Sequence, residues 1–179
     1  MNELSDSAFS ELHQIELLAL KHTCVCLCAF EIIDADQTPA WQSLIPLPPE
    51  KAGVPQKFTY QSSRLALQAA IRHFQQDFRG ELRLEKYHFL TNVPDLCLSL
   101  SHTVADLKAS ASRCYLGGAI AGKLTEVFCV GIDCEWIDRP FRSGVEKFYI
   151  NQDDISPKTA LNESLLLWSL KEAAFKAIT

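Results

Sequence analysis

No stretch of this chain comes near the ~18 consecutive apolar residues of a membrane-spanning helix. The opening MNELSDSAFSELHQ is polar and acidic and lacks the basic start and apolar centre of a secretory signal. A cytoplasmic location is therefore expected. The chain has no CxxC pair and an odd count of seven cysteines, which speaks against a disulfide framework. It has no Lys/Arg stripe, and its formal net charge is −5, so nucleic acid is not an expected partner. A GxSxG elbow is missing too, and Ser101 beside His102 is not read as a hydrolase dyad, because neighbouring strand residues point to opposite faces. No sequence repeat is visible, although strand-then-helix patterns in both parts allow a cryptic duplication.

What is present is enough apolar residue, 47% of 179, for one domain with a sizeable core or two small halves sharing one. Cys24, Cys26 and Cys28 alternate in HTCVCLCAF and so share one strand face. A metal-binding reading of CVCLC competes with a simpler one, small buried thiols in a reducing cytosol. Cys97, Cys114, Cys129 and Cys134 lie in or beside apolar runs, and all seven are assigned to the core.

The pattern predicts a helix in residues 5–22, a strand at 23–33, and an irregular proline-rich connection at 34–57. A helix follows at 58–78, with Leu65, Ala69, Ile71 and Phe74 toward one side and Gly80 ending it. Strands are predicted at 81–85, 96–102, 107–116 and 126–135, with GGAIAGK (117–123) as a flexible junction. A short helix near RSGVEKFYI and a loop at NQDDISPKT precede the strongest helix, 162–178. The class is α+β.

Two carboxylates, Asp133 and Glu135, close the apolar run VFCVGI (127–132), which reads as a buried strand. Two apart, they face the same way, and on a buried face they repel and lose hydration unless a cation compensates. The last helix offers a third carboxylate: Trp168, Glu172 and Lys176 are spaced i, i+4, i+8. Glu172 and Lys176 also form an ordinary surface pair by spacing, but the surrounding LLLW and AAF predict a largely buried helix. Oxygen ligands without histidine suit Mg²⁺ or Mn²⁺. Since Mg²⁺ commonly takes further oxygens from substrate phosphates, a diphosphate substrate is expected, with Lys176 neutralising its charge. Ser101 and His102 at a strand end are phosphate-donor candidates. Lys57 and Arg64 are read as opening the helix at 58–78, near an N-terminus suited to phosphate.

Together, LSLSH (98–102), VGIDCE (130–135) and WSLKEAAFK (168–176) resemble, in that order, the motifs of the 4′-phosphopantetheinyl transferases. Having Glu135 as well as Asp133 is similar to the longer, pseudo-dimeric, surfactin-type branch. The resemblance implies two similar α+β halves packed as a pseudo-dimer: residues 1–119 with coenzyme A phosphate contacts, and 120–179 with the metal strand and motif helix. It also implies a glycine-containing turn and further strands after that helix, so the second half, which stops at Thr179, is expected to be truncated. The interval from His102 to Asp133 is longer than the family's, and Leu100 stands where Asn is common.

By the same resemblance, Asp133, Glu135 and Glu172 are the expected Mg²⁺ ligands. Arg64, Lys86, Ser101, His102, Asp133, Lys171 and Lys176 are the expected coenzyme A contacts. The implied reaction is of the holo-[acyl-carrier-protein] synthase type. A serine of an acyl- or peptidyl-carrier protein attacks the β-phosphate of coenzyme A, adenosine 3′,5′-bisphosphate leaves, and Glu172, directly or through water, accepts the serine proton. Carriers of fatty-acid, polyketide or nonribosomal peptide assembly all fit. The alternative is a non-catalytic coenzyme A or carrier-protein binding module derived from the same fold.

Overall fold

The computed structural model describes residues 14–32, 54–78, 93–106, 113–138 and 161–178. Strands β1 (Gln14–Ala19), β2 (Thr23–Ile32), β3 (Leu96–Asp106) and β4 (Arg113–Lys123) form one antiparallel sheet in the order β1-β2-β4-β3. Helix α1 (Val54–Phe74) lies between β2 and β3 in the chain, and helix α2 (Leu161–Ile178) comes last. The class is α+β.

Register decides which side chains reach α1. Cys24, Cys26 and Cys28 pair with Ala121, Ala119 and Gly117, and these in turn with Leu98, Leu100 and His102. Directly opposed residues share a face, so one face carries small thiols and alanines in the middle and leucines on β3. α1 covers it with Phe58, Leu65, Leu67, Ala70 and Ile71, all buried. Fully buried Leu67 and Ile71 contribute about 2 kcal/mol each. Phe58 and Tyr115 meet with ring centroids 5.2 Å apart.

Small residues in the middle of that face let the helix come close. A Cβ on Gly117 would strike the backbone of Ser62 and Ser63. The α1 surface there is polar, and its two serine hydroxyls are satisfied. Ser62 donates to the Thr59 carbonyl at 3.0 Å and Ser63 to the Tyr60 carbonyl at 2.9 Å. Short hydroxyls folded back onto their own helix leave room for the strand.

Several sequence expectations change. Residues 14–19, part of the helix expected over 5–22, form β1, because QIELLA completes a hairpin with the Cys-rich strand. GGAIAGK is no junction: it is the second half of β4, where glycine and alanine satisfy the demand for close packing. β4 crosses from residue 119 to 120 without a break. Residues 126–135 are not a strand but an irregular run, in which Phe128 is 97% exposed. Cys129 is exposed and Cys114 half-buried, unlike the other five thiols. α1 begins at Val54 and ends at Phe74, four residues earlier at each end than expected. The expected elements at 81–85 and 139–160 lie outside the described residues. No helix among the described residues is long and apolar enough to cross a membrane.

Candidate functional site

On the sheet face away from α1, β3 presents Ser99, Ser101 and Thr103, all buried. Their hydroxyls hold the segment 131–136. The amide of Ile132 donates to Ser99 Oγ at 3.3 Å, and that of Cys134 to Ser101 Oγ at 3.2 Å. Ser101 Oγ donates to Asp133 Oδ1 at 2.9 Å, and Thr103 Oγ1 to Glu135 Oε2 at 3.3 Å. The period-two alternation of β3 therefore sets the positions of both carboxylates. Asp133 and Glu135 do point toward the same strand, as their spacing requires, although the segment carrying them is irregular.

α2 completes the cluster. A Cβ on Gly131 would strike the Ala173 carbonyl and the Ala177 nitrogen, so glycine allows α2 to rest on this backbone. That contact brings Lys176 over Asp133. The Lys176 ammonium donates to Asp133 Oδ1 at 2.7 Å, Ser101 Oγ at 3.2 Å and the Ile132 carbonyl at 3.2 Å. All three of its N–H donors are used; each bond is charge-assisted, and the one to Asp133 is also an ion pair. Side-chain exposure is 20% for Lys176 and 7% for Asp133. Burial by itself raises the Asp133 pKa, but the bond and charge of Lys176, with the hydroxyls of Ser101 and Ser169, bring it below the ordinary carboxylate value. Asp133 Oδ2 is buried and accepts no hydrogen bond. Next to it, burial and then the Asp133 charge push the Cys134 thiol up to about 11, so that sulfur is a packing group.

The remaining expected residues are spread more widely. Glu172 and Lys171 are half-buried on α2, one turn and five residues before Lys176. Among the described residues, no group of three His, Cys, Asp or Glu side chains is arranged to hold a metal ion. His102 shares the face of Leu98 and Leu100, opposite to Ser101. The residue is exposed, but the surrounding residues partly desolvate its ring, which lowers its pKa first; Arg64 and Lys176 lower it further, and Asp133 opposes them. Arg64 does not open a helix; it lies ten residues into α1, because the helix starts at Val54. Its guanidinium stacks 3.8 Å above the Tyr60 ring and donates to Ser63 Oγ at 3.1 Å, with Nε buried and unbonded. Burial lowers its pKa. Lys57 is in the first turn of α1. Lys86 lies outside the described residues. The expectation of a largely buried last helix is also revised. Leu166, Leu170, Phe175 and Ile178 are exposed, and Leu165 is the one buried side chain described on α2.

Ser99, Thr103, Ser169 and the Ile132 carbonyl were not among the expected site residues. The alternation of hydroxyls in LSLSHT was the signal for the first two, since residues 99, 101 and 103 must share a face. Nothing in the sequence singles out a main-chain carbonyl. In comparisons with known proteins, no family model and no curated protein matches this chain.

Proposed function

We propose that this chain is a Mg²⁺-dependent 4′-phosphopantetheinyl transferase, acting on a serine of an acyl- or peptidyl-carrier protein in the cytoplasm. One observation carries the reading. The three motif segments, separated by 32 and 43 positions, meet in a single hydrogen-bonded cluster of Ser101, Asp133 and Lys176. Motifs that matched by accident would have no reason to converge. The finer fold reading is a pseudo-dimer of two α+β halves, with 131–136 and α2 belonging to the second.

The donor set fits a hard divalent cation. Asp133 Oδ2 is a buried carboxylate oxygen without a partner, and Mg²⁺ binds through one or two carboxylates together with waters and substrate phosphates. Asp133 and Glu135 would hold it; Glu172 on α2 does not form a ready ligand group with them, and would join as third ligand only when the cation binds. Bound there, it offsets the charge of a diphosphate and polarises its phosphoryl oxygens.

The chain's own residues then have separate tasks. Ser101 and Thr103 fix the two carboxylates, so little reorganisation is needed when substrate arrives. Lys176, with Lys171 on the same helix, supplies positive charge for phosphate oxygens. His102, Arg64 and Lys86 are assigned to the coenzyme A phosphates. Glu172 takes the proton from the carrier serine as its oxygen bonds to the β-phosphorus, and the bond from that phosphorus to adenosine 3′,5′-bisphosphate breaks.

Mass spectrometry of an apo carrier protein incubated with the chain, coenzyme A and Mg²⁺ tests the reading. The carrier is expected to gain one phosphopantetheine arm, and a Glu172→Gln chain is expected to add none. Protection of the chain by coenzyme A without any arm transfer to several carriers would replace this reading with a non-catalytic binding module.

A further inference from the structure

The Lys176 ammonium sits in a seat made entirely of oxygens: a carboxylate, a hydroxyl and a main-chain carbonyl, from Asp133, Ser101 and Ile132. These are the ligand types that hard metal cations take. A second observation points the same way, because the Asp133 side chain is only 7% exposed and its other oxygen, Oδ2, has no partner. A buried oxygen left over beside an ammonium marks a seat with more acceptor capacity than its occupant uses.

Resting on the metal reading of Asp133, we propose that Lys176 is the resident cation of this seat, and that a divalent cation binds only by displacing it. Lys176 thus has two stations. In one it neutralises Asp133, which would otherwise be a buried and unpaired charge. In the other its ammonium swings off Asp133 on a flexible stem and becomes available to an incoming phosphate. The swing belongs to the side chain and not to the helix, because α2 is seated on the Gly131 backbone. The Lys176 side chain is 20% exposed, so part of it already borders water. The arrangement links cation binding to release of the lysine that meets the substrate, so the site carries its phosphate-binding charge only when the metal is in place.

Binding of Mn²⁺, followed by the loss of the free-ion electron paramagnetic resonance signal without coenzyme A, measures the competition. Lys176→Met keeps the stem and removes the charge. It is expected to bind Mn²⁺ roughly ten- to a hundredfold more tightly than the native chain, the worth of one charged hydrogen bond. Asp133→Asn is expected to abolish that tight binding. Equal or weaker binding by Lys176→Met, or no binding by either chain, overturns the proposal.

A measurement on the native chain does not depend on the variant folding. Amine acylation, read peptide by peptide by mass spectrometry, should label Lys176 several-fold faster when Mg²⁺ is present. Exposed Lys21 and Lys123 serve as internal standards. Labelling unchanged or slowed by Mg²⁺ overturns the proposal equally. The competition and the arm transfer can fail separately: tighter Mn²⁺ binding without transfer leaves the seat standing and removes the enzyme.

Discussion

On the α1 side of the sheet, Cys24, Cys26, Cys28, Ala119 and Ala121 are fully buried beneath leucines, isoleucine and phenylalanine of one helix. On the other side, Ser99, Ser101 and Thr103 are nearly as buried, but they hold amides, carboxylates and a lysine. The first face is fixed by volume. Its thiols are kept protonated by burial, with Cys26 and Cys28 pushed up to about 12. The second face is fixed by donor and acceptor count. Ser101 Oγ donates once and accepts twice, which is all that a hydroxyl can do. The two faces should therefore fail in different ways: one when a side chain grows, the other when a polar atom is removed.

The largest effect is expected where the α1 face has no room. Gly117→Val places branched carbons where the Ser62 backbone lies, so α1 must lift from β4. A loss of about 3 kcal/mol or more is expected in urea unfolding. A loss below about 1 kcal/mol would mean that the helix does not approach this closely.

The opposite face is tested by subtraction. Ser101→Ala adds no volume but removes the acceptor for Lys176 and for the Cys134 amide, and one donor to Asp133. The expected cost is about 2 kcal/mol, smaller than at Gly117, because Lys176 keeps its direct bond to Asp133 and partial access to water. Ser101→Thr retains the hydroxyl and should recover most of the loss. If alanine and threonine cost the same, the hydroxyl is not what matters.

The two faces also differed in how well their residues could be read from sequence. Alternation at Cys24, Cys26 and Cys28 placed three thiols on one face, which the register bears out. A long apolar period located α1 to within a turn. GGAIAGK was misread because glycine and alanine signal flexibility locally, and only the arrival of Ser62 makes them a packing requirement. β1 was misread because QIELLA fits a helix as well as a strand, and pairing with β2 decides between them. VFCVGI looked like a buried strand by hydropathy, yet Phe128 is exposed and the segment is held by hydroxyls instead of a ladder. On the site, Asp133, Lys176 and Ser101 were legible as motif residues. Their mutual contact was not, since it depends on Gly131 admitting α2 to the backbone.

The smallest expected effect lies where the two faces meet, at His102. Its imidazole belongs to the α1 face by register but feels Lys176 and Asp133 from the other side as well as Arg64. Although the residue is exposed, partial desolvation of the ring, then Arg64 and Lys176, depress its pKa below 6.5. The unfolded chain therefore takes up this proton at a higher pH than the folded one does, and stability must rise with pH through that window. His102 contributes fully above about pH 6.5, and the contribution fades as pH falls through its folded value. Asp133 has the same sign but a separate range: its depressed pKa favours folding above the ordinary 3.8 and is lost further into acid. Urea midpoints taken from about pH 7 to about pH 5 should fall slightly in the native chain. His102→Gln should flatten that range while leaving the steeper acid limb of Asp133 in place. A midpoint that rises toward acid would mean that the carboxylates govern His102 and that the cations do not, and the two faces would then be electrostatically joined through Asp133 instead of Lys176.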